Sequence, residues 1–166
     1  MGPEIRRKVE TARSMVPLSE EAVDEFLDLI EEIVDSGDPS VIGPILLLAD
    51  EYSELAGVEV TFLSFLEDFD PRVYVAELLG VLEEFHLKSP GWCRSEIRKI
   101  LASEEGETLI TTVADQPDST RKLLAAILAR IQAQTPRLSD VCERLLEQMS
   151  FRPNTRSRGG NPSELG

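Results

Sequence analysis

The chain has 166 residues, of which 42% are apolar, and it carries a net charge of −14. A chain of this length usually forms one domain, and its longest apolar run, 41–49, is far shorter than the roughly 18 residues of a membrane helix, which excludes a membrane-spanning protein. The negative charge is concentrated in residues 18–84, which hold nineteen acidic residues and one basic residue, Arg72. Such a region repels nucleic acid and anionic lipid and attracts basic partners, although a well-solvated surface without a partner has the same composition.

Several predicted helices begin where a capping residue directly precedes a proline. In Asp70-Pro71 the Asp carboxylate can accept the free amide hydrogens of the first turn, where the proline needs no hydrogen-bond partner of its own. The same reasoning predicts helix starts at Asp38-Pro39, Ser89-Pro90 and Thr135-Pro136, and at Ser19 and Asp118 without the proline.

Taken in chain order, the apolar spacing first predicts an amphipathic helix from Val23 to Val34. A second helix, from Pro39 to about Tyr52, is apolar on more than one face and should bend at Pro44. Residues 58–69 alternate like a strand at first, but helical spacing fits their full length better, so we predict a helix. Further helices are predicted from Pro71 to about Phe85, around Trp92–Leu101, near 104–115, and over Leu123–Ile131 and Leu138–Met149.

These segments predict an all-α fold of seven or eight helices joined by short turns, to which 3–15 can add another. Short connections favour antiparallel neighbours, so we expect stacked αα-hairpins, arranged as a short HEAT-like solenoid or as an irregular bundle. Residues 1–151 are predicted to form a single helical domain. Residues 152–166 have no apolar side chain before Leu165 and are predicted to be a disordered tail.

The cysteines and the N-terminal sequence favour a cytoplasmic protein. Residues 1–10 carry charges with no apolar stretch behind them, so no secretory signal is predicted. Cys93 and Cys142 are too few for a disulfide framework and lack metal-ligand spacing. Whether these two cysteines pair is left open, with reduced thiols expected.

Few side chains could support catalysis. His86 is the single histidine, which leaves no second histidine for a zinc site and little support for a catalytic triad. Cys93 and His86 lack a third group that would orient them as a nucleophile pair. Glu67–Asp70 contains three carboxylates, but the calcium-binding loop with its central glycine is absent. We therefore expect a protein that is not an enzyme, with no catalytic residue, no cofactor and no bound metal.

The run from Phe62 to Glu105 resembles the immunity protein 30 family. The resemblance depends on an aromatic and acidic helix end, a short turn into a helix near Tyr74-Val75, and a Pro-x-Trp that opens the next helix. Residues 38–51 also resemble the opening helix of that family, and the similarity extends over about 38–131. The residues that carry it are Phe65, Glu67, Phe69, Pro90 and Trp92.

This resemblance implies a small helical protein that binds and neutralises a cognate bacterial toxin domain in the cell that makes both. We expect neutralisation by occlusion of a basic toxin, such as a nuclease, with no nucleic-acid or membrane partner and with the oligomeric state left open. A helical-repeat adaptor that assembles other proteins is the alternative, because the helix pattern supports both. The partner-binding residues are expected at acidic helix ends that share one rim: Asp50, Glu51, Glu54, Glu67, Asp68 and Asp70.

Overall fold

The computed structural model describes residues 1–51, 56–103 and 105–150, which form ten α-helices and four short 3₁₀ helices and contain no β-strand. The all-α prediction is confirmed, with more helices than the seven or eight predicted. The α-helices are α1 (Pro3–Met15), α2 (Val23–Val34), α3 (Ile42–Leu46), α4 (Ala56–Ser64), α5 (Pro71–Gly80), α6 (Leu82–Lys88), α7 (Pro90–Ala102), α8 (Gly106–Val113), α9 (Asp118–Gln134) and α10 (Ser139–Ser150). The 3₁₀ helices are Glu20–Ala22, Pro39–Val41, Phe65–Asp68 and Pro136–Leu138. The predicted tail, 152–166, lies outside the described residues.

One predicted helix is divided into α5 and α6. Gly80 ends α5, and Val81 leaves the helical conformation, with φ −111° and ψ 7°, before α6 begins. Glycine is a poor helix former, so the break falls where helix propensity is lowest. A Cβ on Gly43 would lie 2.9 Å from Val81 Cγ1, so glycine at 43 allows α3 to approach this junction closely.

The second predicted helix is shorter than expected. α3 ends at Leu46 instead of near Tyr52, which lies outside the described residues. Pro44 supplies no amide hydrogen to the helix. After α3 the hydrogen-bond pattern becomes that of a 3₁₀ turn, in which the Leu48 amide donates to Ile45 O, three residues back, at 2.9 Å. Residues 47–51 therefore leave the helix and become free to contact other elements.

The predicted helix starts divide into caps and non-caps. Asp38 accepts from the Ser40 amide at 3.0 Å, and Asp70 accepts from the Arg72 amide at 2.9 Å, as expected for N-cap carboxylates. Ser89 precedes α7 without capping it, and its hydroxyl donates to Ala49 O at 2.5 Å. Thr135 and Ser19 precede 3₁₀ helices without a side-chain cap. Asp118 is the first residue of α9 and follows Pro117.

The core forms where the apolar stripes of the helices meet. Phe26 of α2 and Phe62 of α4 are fully buried and meet edge to face, with ring centroids 5.5 Å apart. Leu66, in the 3₁₀ helix that follows α4, is also fully buried. Helical spacing therefore explains the segment 58–69, and the alternative of a strand is ruled out by its observed conformation.

The helices pack mainly on partners that are close in the chain. α1 packs on α2, α2 on α4, α3 on α5, and α6 on α7, while farther along α5 contacts α8, and both α8 and α9 contact α10. Contacts between neighbours of this kind are those that stacked hairpins produce. None of the helices in the described ranges combines the length and the apolar character required to cross a bilayer.

Candidate partner-binding site

A cleft of about 410 Å³ lies between three elements. One wall is the turn after α3, which contributes Asp50 and Glu51 and is called the 47–51 turn. A second wall is α7, with Trp92, Arg94 and Arg98. The end of α9 closes the cleft with Ile131, Gln134 and Thr135. We call this site the charged cleft, because opposite charges lie on its first two walls.

Four hydrogen bonds attach the 47–51 turn to the end of α6 and the start of α7. The Ser89 hydroxyl donates to Ala49 O at 2.5 Å, and the Trp92 indole N–H donates to Asp50 O at 3.2 Å. The Lys88 ammonium donates to Leu47 O, and the Gly91 amide donates to Glu51 Oε2 at 2.7 Å. Because α3 ends early, three carbonyl groups of the turn lack helical donors, and the side chains at 88, 89 and 92 satisfy them.

Gly91 makes the approach of Glu51 possible. A Cβ at position 91 would lie 2.7 Å from Glu51 Oε2 and closer still to Oε1, so any larger residue would displace the carboxylate. The carboxylate sits at the amino end of a 13-residue helix, where the helix dipole stabilises negative charge. Glu51 is therefore part of the architecture of the cleft as well as of its surface.

The structure separates the five predicted partner-binding residues that it describes into two groups. Asp50 and Glu51 lie together in the charged cleft, both half-buried. Glu67 lines a second hollow, of about 210 Å³, and Asp68 is exposed beside it. Asp70 is exposed and caps α5. Glu54 lies outside the described residues.

The Glu67 hollow, lined also by Tyr74, Lys99 and Glu105, contains a small polar network. Lys99 Nζ lies 2.6 Å from Glu67 Oε1 and 3.7 Å from Glu96 Oε2, and the Tyr74 hydroxyl donates to Glu96 Oε2 at 2.7 Å. Burial and the Glu96 carboxylate raise the pKa of Tyr74 well above its ordinary value. Burial alone would lower the pKa of Lys99, but its hydrogen bond with Glu67 and the charge of Glu96 outweigh that effect and raise it.

The two groups of carboxylates meet different residues of α7. The charged cleft uses positions 91–98, and the Glu67 hollow uses 99, 100 and 103. Sequence reasoning could not separate these groups, because it assigned both to helix ends without knowing that α3 ends at Leu46. That the six residues bind a partner stays a prediction.

Sequence reasoning missed Arg94 and Arg98. Their spacing of four residues places them on one face of a helix, and this signal was available in the sequence. No local pattern shows, however, that this face is opposite the 47–51 turn, because the contact joins positions about 40 residues apart.

The residues considered for catalysis, Cys93 and His86, have surroundings that are typical of structural side chains. Cys93 and Cys142 are free and buried, and burial raises the pKa of Cys93 to about 12, so its thiol stays protonated at neutral pH. His86 lies half-buried in the last turn of α6. Among the residues with described positions, no group of three His, Cys, Asp or Glu side chains is arranged to hold a metal ion.

Fold and site together define an all-α protein with a charged surface cleft formed by helix ends. Residues 13–110, more than half of the chain, match the Immunity protein 30 family, and the chain belongs to that family. The match includes the 47–51 turn and all of α7. The match starts earlier in the chain than the region 38–131, which resembles the family by sequence, and it also ends earlier. No curated protein and no solved structure matches the chain. Family membership places the chain among the immunity proteins of toxin systems, which act with a cognate toxin partner.

Proposed function

We propose that this chain neutralises its toxin partner by occlusion, covering the toxin surface instead of modifying it chemically. The observation that carries this proposal, in a member of a family of immunity proteins, is a set of exposed carboxylates on and beside α2 that form no ion pair or hydrogen bond with another described side chain. A basic toxin domain, such as a nuclease, has a surface that these groups can cover. Nucleic acid and membranes are not proposed as partners, and the cytoplasm is the proposed location.

The acidic surface is widest on α2. This helix and the residue that follows it carry exposed carboxylates at i, i+1, i+4, i+7 and i+11, and none of these five forms an ion pair or a hydrogen bond with another described side chain. Charges of this kind accelerate the approach of a basic partner and fix its orientation more than they add affinity. The residues are Asp24, Glu25, Asp28, Glu31 and Asp35. A sixth exposed carboxylate, Glu32 of α2, pairs with Lys8.

The proposed contact residues are Asp50, Glu51, Glu54, Glu67, Asp68 and Asp70. Glu51 and Asp70 also support local structure, through the Gly91 amide and the start of α5. Glu67 pairs with Lys99, but both side chains are about half exposed, and such surface pairs contribute little stability. Glu67 can therefore leave Lys99 and pair with a basic group of the toxin. Asp68 is exposed and can contact such a group as well.

Growth rescue tests the proposal. The family resemblance implies a gene that lies beside the gene of its toxin, so the neighbouring upstream gene is taken as the candidate toxin. It is expressed in a bacterial host with and without this chain, and survival is scored on induction. We expect growth only when the chain is present, and we expect the purified chain and toxin domain to form a stable complex. Continued growth arrest, with no complex formed between the purified proteins, would contradict the proposal and favour the adaptor alternative.

A further inference from the structure

The α7 wall of the charged cleft carries two arginines that form no ion pair with a described residue. Arg94 is half-buried and Arg98 is exposed, and both line the cleft. They are four residues apart on one helix, which separates their Cα atoms by about 6 Å along the axis. Neither forms an ion pair or a hydrogen bond with any described residue.

Several arginines with described positions form no ion pair, Arg7 among them, but of these only Arg94 and Arg98 line the charged cleft. Asp50 lies on the opposite wall of the same cleft. Glu51 lines the same cleft, yet its Oε2 is held by the Gly91 amide. Like charges four residues apart on a helix repel each other, and an anion placed between them removes that repulsion.

The positive charge continues beyond the cleft. Arg94 also lines a smaller hollow of about 120 Å³, together with His86 and Arg130. Arg94 thus lines two recesses. Within an acidic molecule, this region of α6, α7 and α9 is suited to an anionic ligand.

We propose that Arg94 and Arg98 bind a carboxylate of the toxin, from an Asp or Glu side chain inserted into the charged cleft. A guanidinium offers a planar fork of N–H donors that matches the two oxygens of a carboxylate. A cleft of about 410 Å³ can hold more than one side chain, and Trp92 and Ile131 supply apolar contact beside the arginines. This inference rests on the proposed function, because the ligand belongs to the toxin partner.

The acidic surface and the arginine pair have different roles. Exposed carboxylates attract a basic toxin from a distance, whereas a carboxylate bound between Arg94 and Arg98 fixes the position of the toxin once it has arrived. The two roles respond in opposite directions to one substitution. Replacing an arginine by glutamine makes the chain more acidic, which strengthens the general attraction while it removes the specific contact.

The inference is tested by measuring binding kinetics with the purified toxin domain. An inactive variant of the toxin domain is used. The full chain is compared with Arg94→Gln, Arg98→Gln, the double variant and Arg98→Lys. Arg7→Gln is the matched control, because Arg7 is an exposed and unpaired arginine of α1, an element that contributes no residue to the cleft. Thermal unfolding of each variant shows whether the fold is retained.

We expect the double variant to bind at least about tenfold more weakly, mainly through faster dissociation. Arg7→Gln should bind as tightly as the original chain, and Arg98→Lys should lie between, since lysine keeps the charge but loses the fork. Should the double variant not fold, the exposed single substitution Arg98→Gln gives the same comparison.

Equal binding by Arg98→Gln and Arg7→Gln, with the original chain bound tightly, would overturn the inference and leave the proposed function intact. Failure of the original chain to bind the toxin domain would overturn the proposed function itself. Binding of a single-stranded DNA oligonucleotide that is lost in the double variant would assign the arginines to nucleic acid and would likewise overturn the inference.

Discussion

Glu51 and Gly91 illustrate how one contact depends on two residues. The carboxylate reaches the Gly91 amide at 2.7 Å because no Cβ stands in its way. In isolation, glycine at the second position of α7 would look like a weak helix former in the wrong place. In the structure it is the residue that allows an acidic side chain to satisfy an amide at the amino end of the helix.

A double-mutant cycle tests this dependence. Gly91→Ala should destabilise the chain by about 1–3 kcal/mol, because the new Cβ overlaps the Glu51 carboxylate. In a Glu51→Ala background the same substitution should be neutral or slightly stabilising, since the obstacle is gone and alanine is the better helix former. Urea unfolding of the four chains measures both costs. Equal costs in the two backgrounds would show that the carboxylate is not the obstacle.

Cys93 predicts a loss of stability in alkaline solution. Burial raises its pKa from 9.0 to about 12 in the folded chain, so between these values the unfolded chain releases a proton that the folded chain retains. The stabilisation is complete below pH 9 and is lost as pH rises towards 12, by up to about 1.4 kcal/mol per pH unit for this group. We expect the urea midpoint to fall between pH 9 and 11, and to fall less in Cys93→Ala. The same pH dependence in both chains would contradict the assignment to Cys93.

At the scale of elements, the sequence was sufficient to predict where the helices lie but not where some of them end. Apolar spacing located α2, α4 and α9, and the Asp-Pro pairs correctly located two N-caps, because these signals depend on residues within one or two turns. The early end of α3 could not be predicted, because the carbonyl groups exposed there are satisfied by side chains 40 to 42 residues away. For the same reason, Ser89 looked like a cap and is instead a contact between elements.

Substitutions at Ser89 and Asp70 distinguish a cap from a contact. Asp70→Ser should be tolerated, since serine caps helices nearly as well, and Asp70→Ala should cost about 0.5–2 kcal/mol. Ser89→Ala should cost about 1–3 kcal/mol, because it leaves the buried Ala49 carbonyl without a donor. Ser89→Asp should cost more, since aspartate is a good cap but would place a carboxylate against that carbonyl. Thermal and urea unfolding measure all four changes, and a stable Ser89→Asp chain would show that Ser89 acts as a cap after all.

At the scale of the whole molecule, the separation of charge matters more than the total. Residues 18–84 carry all of the negative excess, and most of the exposed carboxylates of α2 form no ion pair with a described residue. α7 provides the two arginines of the charged cleft, so one side of the cleft is acidic and the other is basic. The sequence showed the uneven charge, but only the packing of α7 against the 47–51 turn shows that both signs meet in one cleft.

Variants that remove charge, measured at low and at physiological salt, distinguish residues that only attract the toxin from residues that touch it. The variant Glu67→Gln/Asp68→Asn and the control Asp24→Asn/Asp28→Asn remove the same charge from two exposed regions. Both should slow association with the toxin domain at low salt, and the difference should shrink near physiological salt, where charges are screened beyond about 8 Å. If Glu67 and Asp68 touch the toxin, the first variant should also dissociate faster. Matching dissociation rates, measured by surface plasmon resonance, would remove these two residues from the contact surface.

The bonds between the 47–51 turn and the start of α7 have a final consequence. Each of them spans 40 to 42 positions of the chain, so together they hold the intervening α4, α5 and α6 as a closed loop. Two walls of the charged cleft therefore reach their final separation during folding and not on meeting a ligand. A receptor that is already shaped loses little conformational entropy when it is filled. Its binding should thus resemble rigid docking, with the adjustment left to the side chains of Arg94 and Arg98.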